Sequence, residues 1–583
     1  MSRLILGINS AHADSSAVLV GEAGVIAAIA EERINRKKHS AGFPTLAVAE
    51  VMRIAGATFR DLTDIAVARD PKANLPGKLA FVARHPRSGL PRALNRMKVH
   101  REVESTPEAV ASALGASAAD INATFHNVEH HLAHISSAFY WSPFERATGI
   151  SLDGAGDFAT HMVARCEGNE IKIRHRTLWP HSLGVYYTAI CQLIGFDRFG
   201  EEYKVMGLSA YGVNRFAKEL RQVVRADSQR GFRLNLKYFQ HHRTTTGLEI
   251  LDDDEIRVPT LYAGAMEQLL GPARRRGEPL SERDHDLAAS MQIRFEEVYL
   301  SLVERAAKKV GCRDAVFAGG SVLNSVGNGR VLTERVIDRA YYHPAASDDG
   351  TAAGAALYVL HQLHRHPRTT PVEHAYWGTE WSDAEIERAV IASGLAFKKL
   401  DRAGLLDTAA DALSKGQIIG WFQGREEWGP RALGNRSILC HPGWPNMKAT
   451  LNARIKNREP FRPFAPAIPI EKLSTCFQGS HEVPFMIAVY KVRPEWKERL
   501  SAITHEDGTG RVQTVARSQN ELYYDLITAF EHRTGVPVLL NTSFNENEPI
   551  VHTPEQAIDC FARTRMDALG VGSFWLTKGD ESR

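Results

Sequence analysis

The sequence predicts an α/β protein of two domains, and three features support this prediction. With 583 residues, the chain is too long for a single hydrophobic core. Strand-like apolar runs alternate with helical segments in both halves, as they do in α/β folds. A polar stretch with two prolines, HPRTTPVEHAY, lies near residues 365–375 and is typical of a linker. The predicted domains are therefore residues 1–367 and 368–583.

The first domain contains two strand–turn–strand patterns. The run RLILGINS is followed by a polar turn and by SAVLV, and the same order returns at 147–166 around the turn SLDGAGD. Acidic or glycine-rich turns between strands can hold phosphate groups through backbone amides. Two such hairpins, separated by a long stretch of chain, predict a duplicated domain that grips a phosphorylated ligand between its halves.

Composition narrows the class of protein. The 71 basic and 68 acidic residues nearly balance, which argues against a dedicated nucleic-acid-binding protein. The apolar runs are shorter than the roughly 20 residues that a membrane span needs, and no secretory leader is visible. The 6 cysteines are scattered without a CxxC pair, as is usual for free thiols in a reducing compartment. These features predict a cytoplasmic protein with no membrane or nucleic-acid partner.

The segment HNVEHHLAH at 126–134 raises the question of a metal site. Histidines four residues apart on a helix share one face, and both His126/His130 and His130/His134 have this spacing. The zinc-peptidase motif HExxH is absent, because Glu129 precedes His130. Spacing alone leaves structural histidines as the alternative.

Two acidic turns favour the metal interpretation. Asp153 lies at the end of a strand-like run, and Asp348 precedes a helix of small residues, where acidic side chains point into a cleft. Two histidines and two aspartates suit iron, manganese or zinc bound together with ATP phosphates. GAGDFA resembles a dinucleotide-binding motif, but a strand is predicted to follow it, and no P-loop motif is present.

Several long motifs carry a resemblance to one family. In the first domain they are GINSAHADSSAVLV, EERINRKKHSAGFP, VEHHLAH, SLDGAGD, EEYKVMGLSAYG, FAGGSVLNSVGNGR and ASDDGTAAGAA. In the second they are GWFQGREEWGPRALGNRSILCHP, LNARIKNREPFRPFAP and PVLLNTSFNENEPIVHTPEQAI. In this order, and over nearly the whole chain, they resemble the ATP-dependent O-carbamoyltransferases that modify nodulation factors, cephamycins, aminoglycosides and ansamycins.

The resemblance implies a fold and a metal site for the first domain. This domain would belong to the actin, sugar-kinase and chaperone-ATPase superfamily, similar to the threonylcarbamoyl transferase of tRNA modification. An iron-type ion that contacts nucleotide phosphate would be held by His130, His134, Asp153 and Asp348. His126 and His131 have no ligand role in this pattern. The residues that would contact the nucleotide are Lys38, Lys204, Gly319, Gly320 and Asn324.

The resemblance also implies a YrdC-like second domain that makes carbamoyl adenylate from carbamoyl phosphate and ATP, with Mg²⁺. A small, doubly charged substrate needs several fixed cations and neutral donors. The residues of this domain that would bind it are Arg431, Lys456, Arg458, Arg462, Arg511, Asn541 and Ser543.

Transfer would then occur in the first domain, to a hydroxyl group of a sugar or natural product, including antibiotics. His12 would act as the general base, because a histidine titrates near neutral pH. Its turn, HADSSA, is one residue longer than the HDSAA of many relatives. The identity of the acceptor and the oligomeric state stay open, with a homodimer among the alternatives.

Two other functions compete with this one. Carbamoyl-type transfer to tRNA adenosine would use a similar first domain, but that family lacks the GPRALGNR and REPFRPFAP motifs. A chaperone or regulatory ATPase of the same fold would leave the cation-rich second domain unexplained. Release of AMP and pyrophosphate, rather than ADP, would separate the two transferases from the ATPase.

Overall fold

The computed structural model describes residues 3–10, 12–92, 105–244, 249–250, 256–368 and 371–578. The chain divides into two compact units, unit 1 (Met1–Val372) and unit 2 (Glu373–Arg583). The division falls in the polar, proline-containing stretch, just after the predicted boundary between residues 367 and 368. Both units combine helices and sheets, so the chain is an α/β protein.

The first sheet of unit 1 has five strands. They are β1 (Leu4–Asn9), β2 (Ser16–Gly21), β3 (Gly24–Ala30), β4 (Asp64–Val67) and β5 (Thr124–Asn127). Their order is β3-β2-β1-β4-β5. The first three strands are antiparallel, and β4 and β5 continue parallel to β1. β2 is buried along its whole length, which explains its uncharged sequence SAVLVG.

The second sheet of unit 1 repeats this plan. Along the chain, two short antiparallel strand pairs come between β8 and β13 of this sheet. They are β9 (Val224–Asp227) with β10 (Gly231–Leu234), and β11 (Glu249–Ile250) with β12 (Ile256–Arg257). The strands of the sheet are β6 (Arg146–Gly156), β7 (Ala159–Glu167), β8 (Glu170–Leu178), β13 (Asp314–Ala318) and β14 (Arg339–Tyr342). From β8 the order is β8-β7-β6-β13-β14, again with three antiparallel strands followed by two parallel ones. This repeated order is the one that a duplicated domain would have.

Helices accompany both sheets of unit 1. They are α1 (Glu31–Asn35), α2 (Thr45–Ala55), α3 (Leu75–Arg84), α4 (Thr106–Ala113), α5 (His130–Trp141), α6 (Leu183–Leu193), α7 (Glu202–Leu208), α8 (Ala217–Val223), α9 (Gly264–Leu270), α10 (Glu282–Val310), α11 (Ser325–Thr333) and α12 (Thr351–Leu357). α10 begins with a capping box between Ser281 and Asp284 and ends at Gly311, which adopts a left-handed conformation with φ of 71°.

The packing of α12 against α5 sets the position of the candidate site. α12 is buried along its length and consists mainly of alanine and glycine. A Cβ atom on Gly354 would lie 1.7 Å from the carbonyl oxygen of Ala133 on α5. Only glycine therefore permits this close approach of the two helices.

Unit 2 contains one mixed sheet of nine strands, in the order β15-β23-β22-β16-β17-β21-β18-β20-β19. The strands are β15 (Ala396–Lys399), β16 (Ile419–Phe422), β17 (Arg436–Cys440), β18 (Ala465–Pro469), β19 (Ala488–Lys491), β20 (Thr509–Val515), β21 (Leu539–Ser543), β22 (Ala568–Val571) and β23 (Phe574–Thr577). The helices are α13 (Asp383–Ser393), α14 (Arg402–Ser414), α15 (Met447–Leu451), α16 (Leu473–Cys476), α17 (Glu521–Thr534) and α18 (Pro554–Arg563). Within the described ranges of both units, no helix is both long and apolar enough to cross a membrane.

Candidate active site

Four side chains of unit 1 converge from three separate elements, and we call them the first metal group. His130 and His134 lie on successive turns of α5, Asp153 lies in β6, and Asp348 lies in the short helical turn before α12. The side chain of Glu129 caps α5 by accepting a hydrogen bond from the backbone amide of Leu132 at 2.8 Å. The helix thus begins at His130, and the two histidines share one face.

The ligand atoms of this group have the spacing that one metal ion requires. His130 Nε2 lies 3.1 Å from Asp153 Oδ2 and 3.1 Å from His134 Nε2. Asp348 Oδ1 lies 3.5 Å from each imidazole Nε2, and His134 Nε2 lies 3.7 Å from Asp153 Oδ2. Nitrogen and oxygen ligands bonded at about 2.1 Å to a tetrahedral ion are roughly 3.4 Å apart. The residues therefore fit a divalent ion.

Charges within the group hold it together. Burial disfavours a charge on His134, but hydrogen bonds and charges from Asp153 and Asp348 outweigh this effect and raise its pKa to about 9. Burial would raise the pKa of Asp153, yet hydrogen bonds from both histidines hold it well below its usual value. Burial and the charge of Asp153 raise the pKa of Asp348. A metal ion must therefore displace a proton from His134 when it binds.

The motif SLDGAGD supports the group at three positions. Asp153 contributes a carboxylate oxygen to the first metal group. A Cβ atom on Gly156 would lie 1.9 Å from the ring of His130, so a larger residue would push this imidazole away. Asp157 accepts hydrogen bonds from the backbone amides of His130 at 3.0 Å and Asp70 at 2.8 Å. His131, which the resemblance gives no ligand role, bonds instead to Ser151 Oγ at 2.8 Å.

His126 does not share the helical face of His130. It lies in β5, which ends at Asn127, so the four-residue helical spacing does not apply to it. Its Nε2 contacts Asp64 at 2.8 Å. Of the two histidine pairs with the four-residue spacing, His130 and His134 therefore lie on one helix, whereas His126 and His130 do not.

The proposed general base lies against the first metal group. The ring of His12 stacks on that of His130 with centroids 4.7 Å apart, and His12 Nδ1 lies 3.4 Å from Asp348 Oδ2. His12 therefore lies beside the first metal group, although its turn is one residue longer than in many relatives.

A neighbouring pair, Asp14 and His39, was not predicted from the sequence. His39 Nδ1 lies 2.8 Å from Asp14 Oδ1, and Ser347 Oγ donates to Asp14 Oδ2 at 3.0 Å. Burial opposes a charge on His39, but Asp14 outweighs it and raises the pKa of His39 to about 9. Both residues have positive φ, 55° each, a conformation that costs energy outside glycine. Their presence in two family motifs was the signal that could have identified them.

The five predicted nucleotide contacts fall into two sets. The backbone amide of Gly320 donates to Asp153 Oδ1 at 3.1 Å, and Gly319, with φ of 108°, passes so close to Leu152 that a Cβ atom would lie 2.3 Å from its carbonyl oxygen. These glycines lie against the first metal group. The other three are elsewhere engaged or exposed: Lys204 pairs with Glu201 at 3.0 Å, Asn324 exchanges amide hydrogen bonds with Gln292 at 2.9 Å, and Lys38 is exposed.

In unit 2, Lys456 is buried and its ammonium group meets three oxygen atoms. Nζ donates to the carbonyl oxygens of Ser543 at 2.6 Å and Asn545 at 2.7 Å, and to Asn545 Oδ1 at 2.8 Å. Ser543 Oγ also donates to Asn545 Oδ1, at 2.8 Å. Lysine has three donors, so Lys456 would reach a phosphate only by releasing one of these bonds.

A second cluster of predicted residues surrounds Asn541. Its Nδ2 donates to the carbonyl oxygen of Ala432, the neighbour of Arg431, at 3.2 Å and to Gln513 Oε1 at 3.0 Å. Arg511 and Gln513 are two residues apart on β20 and therefore share a face of the strand. Gln513 also lines a small, partly open pocket. It is lined by Glu373, His374, Ala375, Tyr376, Leu433, Pro484, Phe485, Gln513, Val515 and Gln519.

Arg458 and Arg462 have local partners. Arg458 stacks over Phe464 with the guanidinium carbon 4.2 Å from the ring centroid, and its Nε donates to Asn452 Oδ1 at 3.3 Å. Arg462 lies 3.5 Å from the carboxylate of Glu459. Of the predicted residues of unit 2, Lys456 therefore contacts Ser543, and Arg431 lies next in the chain to Ala432, to which Asn541 bonds. For Arg458 and Arg462, the contacts described are with other neighbours.

Two family profiles match this fold and site. The one described as "Carbamoyltransferase N-terminus" matches residues 4–357, and the one described as "Carbamoyltransferase C-terminus" matches residues 410–578. Together they cover most of the chain. The chain therefore belongs to the carbamoyltransferase family and is a transferase.

Curated relatives agree with this membership. The chain is 35% identical to the nodulation protein NolNO of Sinorhizobium fredii over 97% of this chain and 79% of the relative. It is 36% identical to an uncharacterized protein of Synechocystis over 98% of this chain and 96% of the relative. It is 34% identical to the 3'-hydroxymethylcephem-O-carbamoyltransferase of Amycolatopsis lactamdurans over 45% of this chain and 48% of the relative.

Solved structures are more distant. HypF of T. kodakarensis aligns with a TM-score of 0.30 and 14% identity, covering 63% of this chain and 48% of HypF. Component A of the (R)-2-hydroxyglutaryl-CoA dehydratase of Acidaminococcus fermentans also has a TM-score of 0.30, with 12% identity over 61% of this chain and 97% of that chain. Likenesses at this level add nothing to the assignment.

Proposed function

We propose that the chain is an ATP-dependent O-carbamoyltransferase that works in two steps, one in each unit. The observation that carries the proposal is the convergence of His130, His134, Asp153 and Asp348 in a family of carbamoyltransferases. Unit 1, with its two sheets of like order, is assigned to the actin, sugar-kinase and chaperone-ATPase superfamily. Unit 2 is assigned a YrdC-like role.

In the first step, carbamoyl phosphate and ATP, with Mg²⁺, react in unit 2. Carbamoyl phosphate loses phosphate to water, and the resulting carbamate oxygen attacks the α-phosphorus of ATP and expels pyrophosphate. The products are carbamoyl adenylate, phosphate and pyrophosphate. Positive charge for the phosphates comes from residues that would include Arg431, Lys456, Arg458, Arg462 and Arg511, and neutral donors from Asn541 and Ser543.

In the second step, a hydroxyl group of a sugar or natural product takes the carbamoyl group in unit 1, and AMP leaves. His12 would accept the hydroxyl proton at Nε2, because its Nδ1 faces Asp348, whose carboxylate stabilises the imidazolium. The side chains of Lys38 and Lys204 would neutralise the AMP phosphate, Lys204 by exchanging its contact with Glu201 for the phosphate. The nucleotide pocket would be shaped by Gly319, Gly320 and Asn324. A divalent ion held by the first metal group, for which we propose iron, would polarise that phosphate.

The experiment supplies the full chain with ATP, labelled carbamoyl phosphate and a panel of hydroxylated acceptors that includes sugars and tRNA. We expect one acceptor to gain a single carbamoyl group and AMP and pyrophosphate to form in equal amounts with it. Formation of ADP instead would contradict the adenylate route. Labelled tRNA as the sole product would favour the other transferase.

A further inference from the structure

A second set of metal-ligating side chains lies outside the first metal group. We propose that Asp64, His126 and His364, the second metal group, bind a divalent cation of the zinc, cobalt and nickel class. Asp64 begins β4, whereas His12 follows the end of β1, and these two strands are parallel. The second group therefore lies at the opposite edge of the first sheet from the candidate active site.

The three ligand atoms meet at one carboxylate oxygen. His126 Nε2 lies 2.8 Å and His364 Nε2 lies 2.9 Å from Asp64 Oδ1. The three ligand atoms lie within 4.8 Å of one another. The side chain of Asp64 is 2% exposed, whereas those of His126 and His364 are 19% and 22% exposed. A cation can thus enter from solution, with water as a fourth ligand, as in zinc sites that keep an open position.

The second carboxylate oxygen of Asp64 is fixed by other groups. Thr63 Oγ1 donates to Asp64 Oδ2 at 2.8 Å and orients the carboxylate, whereas the exposed Arg3 makes only a longer contact of 3.6 Å to the same oxygen, which is not needed for this orientation. Ligating carboxylates in metal sites are commonly oriented by such contacts through the oxygen that does not bind the metal. Oδ1 is left to face the two imidazoles.

Without a metal ion, two hydrogen-bond contacts of His364 Nε2 are incompatible with each other. Its Nε2 must carry a proton to bond with Asp64, but Arg3 Nη1, also a donor, lies 3.2 Å from the same nitrogen. One ring nitrogen cannot donate and accept at once. A cation bound to the Nε2 lone pairs of both histidines meets the carboxylate without this conflict, and Arg3, 39% exposed, can turn toward solvent.

A cation here would fasten two distant parts of unit 1. His364 follows the helical stretch Tyr358–Leu363, whereas Asp64 and His126 belong to neighbouring strands of the first sheet. Metal binding to the folded state alone raises thermal stability. A bound cation would therefore link the first sheet to this helical stretch and stabilise their contact.

The experiment titrates the full, metal-stripped chain with Zn²⁺ by calorimetry and with Co²⁺ by visible absorption. We expect His364→Asn and His126→Asn each to bind one equivalent less of either metal than wild type does. The matched control, His366→Asn, alters a nearby histidine whose Nδ1 contacts the carbonyl oxygen of Pro367, and it should bind as wild type does. Equal binding by wild type and both cluster variants would overturn the proposal.

A gain-of-affinity variant tests the proposal without removing a ligand. Arg3→Gln deletes a positive charge beside the site, so Zn²⁺ binding at the second group should tighten on the order of tenfold. Arg60→Gln, which removes a guanidinium that lies over Phe59, is the control and should bind as wild type does. If Arg3 itself is the cation that Asp64 requires, Arg3→Gln will lower the melting temperature and leave Zn²⁺ affinity unchanged, and the proposal will be wrong.

Discussion

The candidate sites of units 1 and 2 balance their charges in different ways. In unit 1, two carboxylates face two imidazoles, and the attraction between them holds four ligand atoms around one point. In unit 2, Lys456 faces three oxygen atoms of the chain itself. Lys456, Arg458 and Arg462 of unit 2 each contact different neighbours. Because like charges repel, such separate contacts are needed to hold several cations in one region. Unit 1 is therefore prearranged for a cation, whereas an anion in unit 2 must compete with internal bonds.

We expect the largest effect from replacing His134. Because His134→Ala removes a ligand, we expect carbamoyl transfer to fall by at least about a hundredfold, together with bound metal. Adenylate formation, assigned to unit 2, should persist. Metal analysis and transfer rates check both effects, with the exposed histidine variant His532→Ala as control. Full transfer activity in His134→Ala would contradict the metal assignment.

A second variant, Lys456→Met, tests the internal hydrogen bonds of the candidate site in unit 2. It removes three hydrogen bonds of a buried ammonium group, and Asn545 Oδ1 keeps only the one from Ser543 Oγ, so the free energy of unfolding should fall by roughly 3 kcal/mol. Denaturant unfolding measures this change. The control Lys472→Met removes a half-exposed pair with Glu531 and should have little effect. Unchanged stability with slower adenylate formation would mean that Lys456 serves the substrate alone.

The prearranged geometry of unit 1 also depends on close helix packing. Gly354→Ala forces α12 away from Ala133 on α5, and we expect a loss of about 2 kcal/mol of stability and weaker metal binding. Gly264→Ala, where nothing lies within 4 Å of the new methyl group, is the matched control. Calorimetric melting and metal titration follow the two effects. Equal stability of the two variants would contradict this packing argument.

The smallest expected effect is the pH dependence of the pair His39 and Asp14. The pKa of His39 is raised from 6.5 to about 9 in the folded chain. The folded state therefore binds the proton more tightly, and the stabilisation is complete below pH 6.5 and lost as pH rises through about 9. Compared with His39→Gln, wild type should gain most stability near pH 6, with the difference fading at alkaline pH. Unfolding curves across pH measure it, and a constant difference would contradict the ion pair.

Local patterns in the sequence predicted much of the fold. The motif SLDGAGD identified the hairpin of β6 and β7, although β6 extends through the first six residues of the motif and the turn begins only at Asp157. The polar stretch near residue 370 contains the division between the two units. Alternating apolar residues and turn residues act locally, so they can be read without tertiary information. The pairing of β13 with β6 could not be predicted in this way, because it joins residues far apart in the chain.

The candidate site was only partly predictable for the same reason. Spacing alone treated His126 and His134 alike, because the start of α5 at His130 depends on the cap by Glu129. The pair Asp14 and His39 depends on two left-handed residues that no propensity identifies. Likewise, the burial of Lys456 among oxygens of the NTSFN turn is a tertiary contact, and a lysine in a cation-rich motif does not reveal it.

The central claim is that unit 2 activates the carbamoyl group and unit 1 transfers it. The most direct measurement quenches reactions of the full chain with ATP and carbamoyl phosphate, without acceptor, and detects carbamoyl adenylate and pyrophosphate by mass spectrometry. We predict that both form in wild type and in His12→Ala and are lost in Arg462→Ala. Production of ADP, or turnover that does not depend on carbamoyl phosphate, would contradict the account.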